Sequence, residues 1–230
     1  MRASNRSRLF SRARAILFSA ALGFAPASAF AQTDAVPEGH CFDFTRPETA
    51  STQVAAQLPP EMIDSRPLSS GDSSVRTATG EFSKGGVWAA LRTVVVRPVS
   101  EVLRLLKNPG TLKDLSQFKV ESRSVPRPGF TDFLEVDLEF VPIPFVRLKW
   151  GEQWATWGDS LVTQIRYQKT RGSGLIKRFC GQITVRAVGS KTDLSLYEEV
   201  DAPRRSALGV LEGHRGTVRT LLTEKLAPNR

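Results

Sequence analysis

The stretch TDFLEVDLEFVPIPFVRLKW, residues 131–150, decides the fold. Successive side chains of a β-strand point to opposite faces of a sheet, so alternate residues share one face. Residues on one face of both halves of this stretch are apolar: Leu134, Val136, Leu138 and Phe140, then Val146, Leu148 and Trp150. The residues between them are charged: Glu135, Asp137 and Glu139, then Arg147 and Lys149. The stretch therefore predicts two strands with one apolar face and one charged face.

A hairpin across residues 141–145 satisfies both faces of these strands in one register. The predicted pairs are Val136 with Trp150, Leu138 with Leu148, Asp137 with Lys149, and Glu139 with Arg147. Exposed ion pairs of this kind contribute less than about 1 kcal/mol each. We therefore expect them to specify the register more than the stability.

Similar patterns continue in both directions from this hairpin. Further strands are predicted at 87–96, 118–125, 160–170, 174–188 and 192–200, and the strand that begins at 146 extends to 157. Pro98 ends the first strand, and a helix with apolar residues at Val102, Leu103, Leu105 and Leu106 follows it. A second short helix is predicted at 111–117. A long helix is predicted at 207–226, after Pro203.

Residues 32–83 have a different composition from the segments that follow. They are rich in Pro, Ser, Thr, Gln and Gly, and they have few aliphatic clusters. Such a segment does not build a core of its own. We predict a largely irregular N-terminal arm at 32–83 and a folded domain at 84–230.

The first 31 residues predict a cleavable signal peptide. Five arginines precede an apolar run at 15–25, which is too short to span a membrane as a mature helix. Ala29-Phe30-Ala31 has the small residues that signal peptidase accepts, which places the expected cut after Ala31. We therefore expect a periplasmic or secreted protein.

Removing this segment changes the charge of the chain. The formal net charge falls from +9 to +4, because residues 1–31 contain five arginines and no acidic residue. Without a cluster of Lys and Arg, the mature chain gives little reason to expect nucleic acid as a partner. Weak contact with an anionic membrane surface is compatible with this charge.

The expected compartment decides whether the two cysteines, Cys41 and Cys180, form a disulfide or remain free thiols. An oxidising space favours a disulfide over two free thiols. Strand parity directs Cys180 away from the apolar face, so the bond would hold the arm across the outside of the sheet. A metal site with His40 is the competing interpretation, but the two cysteines and two histidines lack the spacing of a zinc site. No metal or cofactor is predicted.

The order of elements resembles the START-like superfamily, also known as SRPBCC, which includes polyketide cyclases and lipid-transfer proteins. The resemblance covers residues 84–227, through the strand and helix at 87–106 and the closing strand and helix at 192–226. It implies an α+β helix-grip fold, in which a curved antiparallel sheet of six to seven strands wraps around a long C-terminal helix. It also implies a cavity between sheet and helix that takes an apolar ligand.

The candidate lining of this cavity consists of residues from the apolar sheet face and from the closing helix. These are Val136, Leu138, Phe140, Leu148, Trp150, Trp154, Ile165, Tyr167, Ile183, Leu208, Leu211 and Val218. The leading hypothesis is accordingly a protein that binds or carries a hydrophobic small molecule or a lipid.

Two alternatives stay open. The chain is a cyclase-like enzyme if His214 or Tyr167 transfers a proton beside a bound ligand. It is a partner-binding domain of the cell envelope if the core is solid and an apolar patch is exposed. Gly158-Asp159-Ser160-Leu161 matches the nucleophile block of the GDSL esterases, but the C-terminal Asp-x-x-His of those enzymes is absent and a turn explains the four residues. No catalytic residue is therefore assigned.

Overall fold

The structure is a computed structural model that describes residues 41–42, 44, 62, 68–69, 71, 74–82, 85–112, 118–143, 146–203 and 205–223. The predicted signal peptide at 1–31 and most of the predicted arm lie outside these residues. In the part of the chain described, no helix has the length and apolar character needed to cross a membrane.

The described chain forms an antiparallel sheet with three helices. The strands are β1 (Arg76–Glu81), β2 (Val87–Val95), β3 (Phe118–Ser124), β4 (Asp132–Ile143), β5 (Val146–Gly158), β6 (Val162–Gly172), β7 (Arg178–Val188) and β8 (Lys191–Asp201). The helices are α1 (Val99–Leu106), α2 (Pro109–Leu112) and α3 (Ala207–Thr223). The spatial order of the strands is β1-β2-β8-β7-β6-β5-β4-β3.

This arrangement confirms the predicted α+β helix-grip fold. The sheet is open and antiparallel, and the chain closes with a helix that packs on it. The predicted strand count of six to seven was low, because the described residues form eight strands. The extra strand is β1, which lies in the segment predicted as irregular. It is an edge strand that pairs only with β2 among the described strands. Its residues, RTATGE, are small and polar, so its sequence lacks the apolar alternation that the other strands show.

The predicted β4–β5 hairpin is present, but its predicted register was wrong by two residues. Leu138 pairs with Trp150 and Val136 pairs with Glu152. A shift of two residues leaves every side chain on its predicted face, so the apolar pattern does not distinguish the two registers. A register irregularity lies between Phe140 and Ile143, near the turn.

The face of the sheet that carries Val136 and Ile165 is termed the inner face. Helix α3 packs mainly against β2 and β1, whereas α1 packs against β7 and β8. Buried residues of both helices, including Val102, Leu106 and Leu211, join the apolar side chains of this face in one core. Arg97, at the end of β2, donates a hydrogen bond to the carbonyl of Leu222 and so holds the last turn of α3.

The opposite face, termed the outer face, carries a second core. Phe133, Ala155, Cys180 and Tyr197 of the sheet are buried there together with residues of the N-terminal segment, Phe42, Phe44 and Met62. The disulfide joins Cys41 to Cys180 with 6.3 Å between the Cα atoms, as the sequence predicted. The predicted position of Cys180 on the outer face is confirmed as well, but this part of the face is buried rather than exposed to solvent.

Candidate functional site

Three transverse rows of side chains lie on the inner face, two of them running from β4 to β6 and one from β4 to β5. In the first row Leu134 pairs with Trp154, which pairs with Tyr167. In the next, Val136 pairs with Glu152, which pairs with Lys169. In the third, Leu138 pairs with Trp150. The middle row therefore places two ionisable side chains between two apolar and aromatic rows.

Glu152 is held by the indoles on either side of it along β5. Trp150 Nε1 donates to Glu152 Oε1 at 2.7 Å, and Trp154 Nε1 donates to Glu152 Oε2 at 2.8 Å. Both indole donors and both carboxylate oxygens are thereby satisfied in a buried environment. The sequence analysis missed Glu152 because it selected only apolar residues, although strand parity places position 152 on the same face as Trp150 and Trp154.

Tyr167 stacks on Trp154 and donates a hydrogen bond to Glu198. The two ring centroids are 4.5 Å apart, and the hydroxyl lies 2.9 Å from Glu198 Oε2. Burial, reinforced by the carboxylate of Glu198, raises the pKa of Tyr167 well above its usual value. The phenol is therefore neutral at physiological pH and acts as a donor rather than as a base.

The backbone of β7 makes room for this tyrosine at Gly181, its cross-strand partner. A Cβ added at Gly181 would lie 2.0 Å from the Tyr167 ring, far inside van der Waals contact. The position of the ring across β7 therefore requires glycine at 181.

His214 lies on α3 and faces the inner side of β2. Its Nε2 is 3.3 Å from the carbonyl oxygen of Ala89, and the ring is buried. Burial lowers the pKa of His214, and the charge of Glu198 opposes that shift. The imidazole is therefore neutral when it donates to Ala89. Both proton-transfer candidates of the sequence analysis thus lie on the inner face near Glu198.

Lys169 is only 6% exposed, yet its ammonium forms no hydrogen bond or ion pair with the residues that the structure describes. Burial lowers the pKa of Lys169. The sequence analysis also missed this residue, although its parity matches that of Ile165 and Tyr167 on the same strand.

Most of the predicted lining residues lie on the inner face, where their contact with a ligand is still a prediction. Nine are buried: Val136, Leu138, Phe140, Trp150, Trp154, Ile165, Tyr167, Ile183 and Leu211. Leu148 and Val218 are partly buried against the same core. Leu208 was predicted wrongly, because it is 69% exposed at the start of α3. The buried stripe of this helix runs instead through Val210, Leu211, His214 and Leu221.

The outer face holds a cluster of Cys41, Cys180 and Glu199, whose ligand-type atoms lie within 4.8 Å of one another. Both sulfurs belong to the disulfide, so neither is a thiolate able to bind a metal. Tyr197 donates to Glu199 at 3.0 Å, and Arg178 Nε lies 3.4 Å from the same carboxylate. Burial raises the pKa of Glu199 despite this arginine. The cluster is structural in this state.

A surface groove of about 420 Å³ lies on the outer face of β3 to β6, among charged side chains. Its charges are matched by three ion pairs: Lys119 with Glu121, Lys149 with Glu139, and Arg171 with Asp137. A groove whose charges are matched in this way offers no excess charge to a ligand.

The GDSL-like block forms the turn between β5 and β6, as predicted. Asp159 Oδ1 accepts the backbone N–H groups of Leu161 and Val162 at 2.7 and 2.8 Å. These bonds explain the aspartate as a turn residue.

Several solved structures are similar to the chain. One is the Zhui aromatase/cyclase from Streptomyces sp. R1128, with 14% identity and a TM-score of 0.42, over 66% of this chain and 93% of that one. A second is a STAR-related lipid transfer protein from Xanthomonas axonopodis, with 14% identity and a TM-score of 0.49, over 66% and 94%. A third is norcoclaurine synthase from Thalictrum flavum, with 16% identity and a TM-score of 0.39, over 67% and 99%.

No family model and no curated protein sequence matches the chain. The predicted resemblance to the START-like superfamily is confirmed at the level of the fold, by the sheet order and the closing helix described above.

Proposed function

We propose that the chain is an exported protein that binds or carries a hydrophobic small molecule or a lipid on the inner face of its sheet. The observation that carries this proposal is an incompletely covered apolar surface. Val120, Leu134 and Leu148, on the inner face of β3, β4 and β5, keep partial exposure although they pack against the buried core. Helix α3 packs mainly on the far side of the sheet, against β2 and β1.

Burial of apolar surface by a ligand is favourable by about 25 cal/mol for each Å² removed from water. Ligand sites of this kind are concave and mostly apolar, with a few polar groups that set orientation. The two aromatic rows and the enclosed Glu152 and Lys169 match that description. The Cys41–Cys180 disulfide supports export, because such bonds persist mainly in oxidising compartments.

A matched pair of substitutions tests the ligand proposal. Leu148→Gln changes a partly buried residue of the inner face, whereas Leu208→Gln makes the same change at an exposed position of α3. We expect Leu148→Gln to weaken binding of the neutral apolar probe N-phenyl-1-naphthylamine and Leu208→Gln to leave it unchanged. Organic extraction of the purified wild-type protein, followed by mass spectrometry, should also recover a hydrophobic compound. Absence of both probe binding and an extracted compound would contradict the proposal.

Export has a separate test. The full chain produced in a Gram-negative bacterium should be recovered from the periplasm, with an intact mass that lacks residues 1–31. Recovery of the uncut chain from the cytoplasm would overturn this part of the proposal and leave the ligand part standing.

A further inference from the structure

The inner face contains a cation, Lys169, that has no counter-charge in contact with it among the described residues. Lys169 lies in the middle of the three rows, directly opposite Glu152. The two oxygens of Glu152 accept the indole donors of Trp150 and Trp154, which hold the carboxylate along its own strand. Among the described residues, no carboxylate lies within ion-pair distance of Lys169.

Two arginines of the sheet have counter-charges close by. Arg92 forms a two-point contact with Asp193, and Arg178 lies 3.4 Å from Glu199. Arg166, on the outer face of the same strand as Lys169, donates to Gln182 and lies between the rings of Phe42 and Trp157. Lys169 differs from these arginines because its ammonium forms neither a hydrogen bond nor an ion pair within the described part of the chain.

The ammonium of Lys169 carries three hydrogen-bond donors. The side chain is 6% exposed, and no described residue accepts a hydrogen bond from it.

An unpaired ammonium in a largely apolar environment costs free energy that a bound anion would offset. Arginine would favour planar two-point contacts, whereas lysine acts as a point charge and suits a single acidic head group. The apolar rows on either side, with the partly exposed Leu134 and Leu148, suit a hydrocarbon chain attached to such a head.

We infer that the ligand of the inner face is an anionic amphiphile, whose acidic head group contacts Lys169 while its apolar chain lies along the aromatic rows. This inference rests on the proposed function, since it names the chemical class of ligand for the same site. Lys169 is a binding residue in this proposal, and no covalent step is involved.

The experiment compares dodecanoate with dodecanol, which share an apolar chain and differ in the head group. Each is titrated into the full mature chain to displace N-phenyl-1-naphthylamine, for the wild type, Lys169→Met and Lys169→Arg. Lys149→Met is the matched control, because Lys149 lies on the outer face of the neighbouring strand. Thermal unfolding of each variant verifies that it folds.

We expect the wild type to prefer dodecanoate. Lys169→Met should weaken dodecanoate about ten- to hundredfold, the change that corresponds to losing a hydrogen bond to a charged group. Dodecanol should bind Lys169→Met and the wild type equally. Lys169→Arg should keep part of the preference for dodecanoate over dodecanol, and Lys149→Met should keep all of it.

Failure of this inference and failure of the proposed function give different results in this experiment. If the wild type binds both compounds equally, or if Lys169→Met keeps the full preference, the inference is wrong and the proposed function stands. If the wild type binds neither compound nor the probe, the proposed function is wrong and this inference falls with it.

Discussion

The two faces of the sheet both bury charged side chains, but Arg92 on the outer face has a bonded counter-charge, whereas Lys169 on the inner face has none within the described chain. On the outer face, Arg92 and Asp193 are fully buried and form two hydrogen bonds, at 3.1 and 2.7 Å. Gln168 accepts from the backbone N–H of Phe42 and donates to its carbonyl oxygen. On the inner face, Glu152 is satisfied by two indoles, but Lys169 beside it has no bonded partner within the described chain.

This difference separates a structural interface from a candidate binding surface. The hydrogen bonds of Gln168 with the backbone of Phe42 hold the N-terminal segment against the outer face, and Arg92 has its counter-charge in Asp193. An unpaired ammonium costs stability and persists where another molecule supplies its partner. The comparison therefore predicts that substitutions on the outer face destabilise the fold, whereas substitution of Lys169 does not.

The largest effect is expected from Asp193→Ala. This substitution leaves the Arg92 guanidinium buried without its counter-charge, which costs about 3–5 kcal/mol of unfolding free energy. Urea denaturation measures the loss. Asp137→Ala is the control, since it removes an exposed partner of Arg171 and should cost less than about 1 kcal/mol. Equal losses of unfolding free energy in the two variants would contradict the expectation that the buried pair stabilises the fold more than the exposed one.

The next largest effect is expected from the double substitution Cys41→Ser with Cys180→Ser. Loss of the bond that joins residues 139 positions apart should cost about 2–5 kcal/mol. Denaturation of the wild type with and without a dithiol reductant provides the same comparison without mutation. An unfolding midpoint that is identical in oxidised and reduced protein would contradict the structural role of the N-terminal segment.

A smaller effect of opposite sign is expected from Lys169→Met. Replacing an unpaired buried ammonium with an apolar side chain of similar length should raise the unfolding free energy by about 1 kcal/mol, in the absence of ligand. Lys149→Met, on the outer face, should change it by less than about 0.5 kcal/mol. A destabilised Lys169→Met variant would mean that the ammonium has a structural partner.

The smallest effect concerns His214 and appears as a pH dependence. Burial lowers the pKa of His214 in the folded state, so below pH 6.5 the unfolded chain binds a proton that the folded chain does not. The contribution of this residue to stability is therefore complete well above pH 6.5 and declines as the pH falls through and below that value. His214→Gln should flatten the stability profile in this acidic range. Parallel profiles for the two proteins would contradict a buried neutral imidazole.

Strand parity and turn residues predicted most of the fold. Cys180 was assigned to the correct face of the sheet, and the helix after Pro98 ends near the predicted position. Strand pairing was less predictable, because registers two residues apart expose and bury the same side chains. β1 was missed since an edge strand of small and polar residues carries no apolar alternation.

The site was less predictable than the fold. The aromatic residues of β5 were expected on the inner face, but Glu152 between them was missed because only apolar residues were selected for the lining. Lys169 was passed over for the same reason. Leu208 was included because helical periodicity alone does not give the rotation of α3 about its axis, which depends on packing against β2.

The strand order has a further consequence, for the rate at which the chain folds. Every pairing among the described strands joins sequence neighbours except that of β2 with β8, where Val95 meets Thr192 and Val87 meets Val200. Local hairpins close quickly, whereas contacts between distant residues carry the loop-closure entropy of the whole intervening chain. We therefore expect β3 to β8 to assemble as a series of hairpins, and the docking of β2 on β8 to limit the rate of folding.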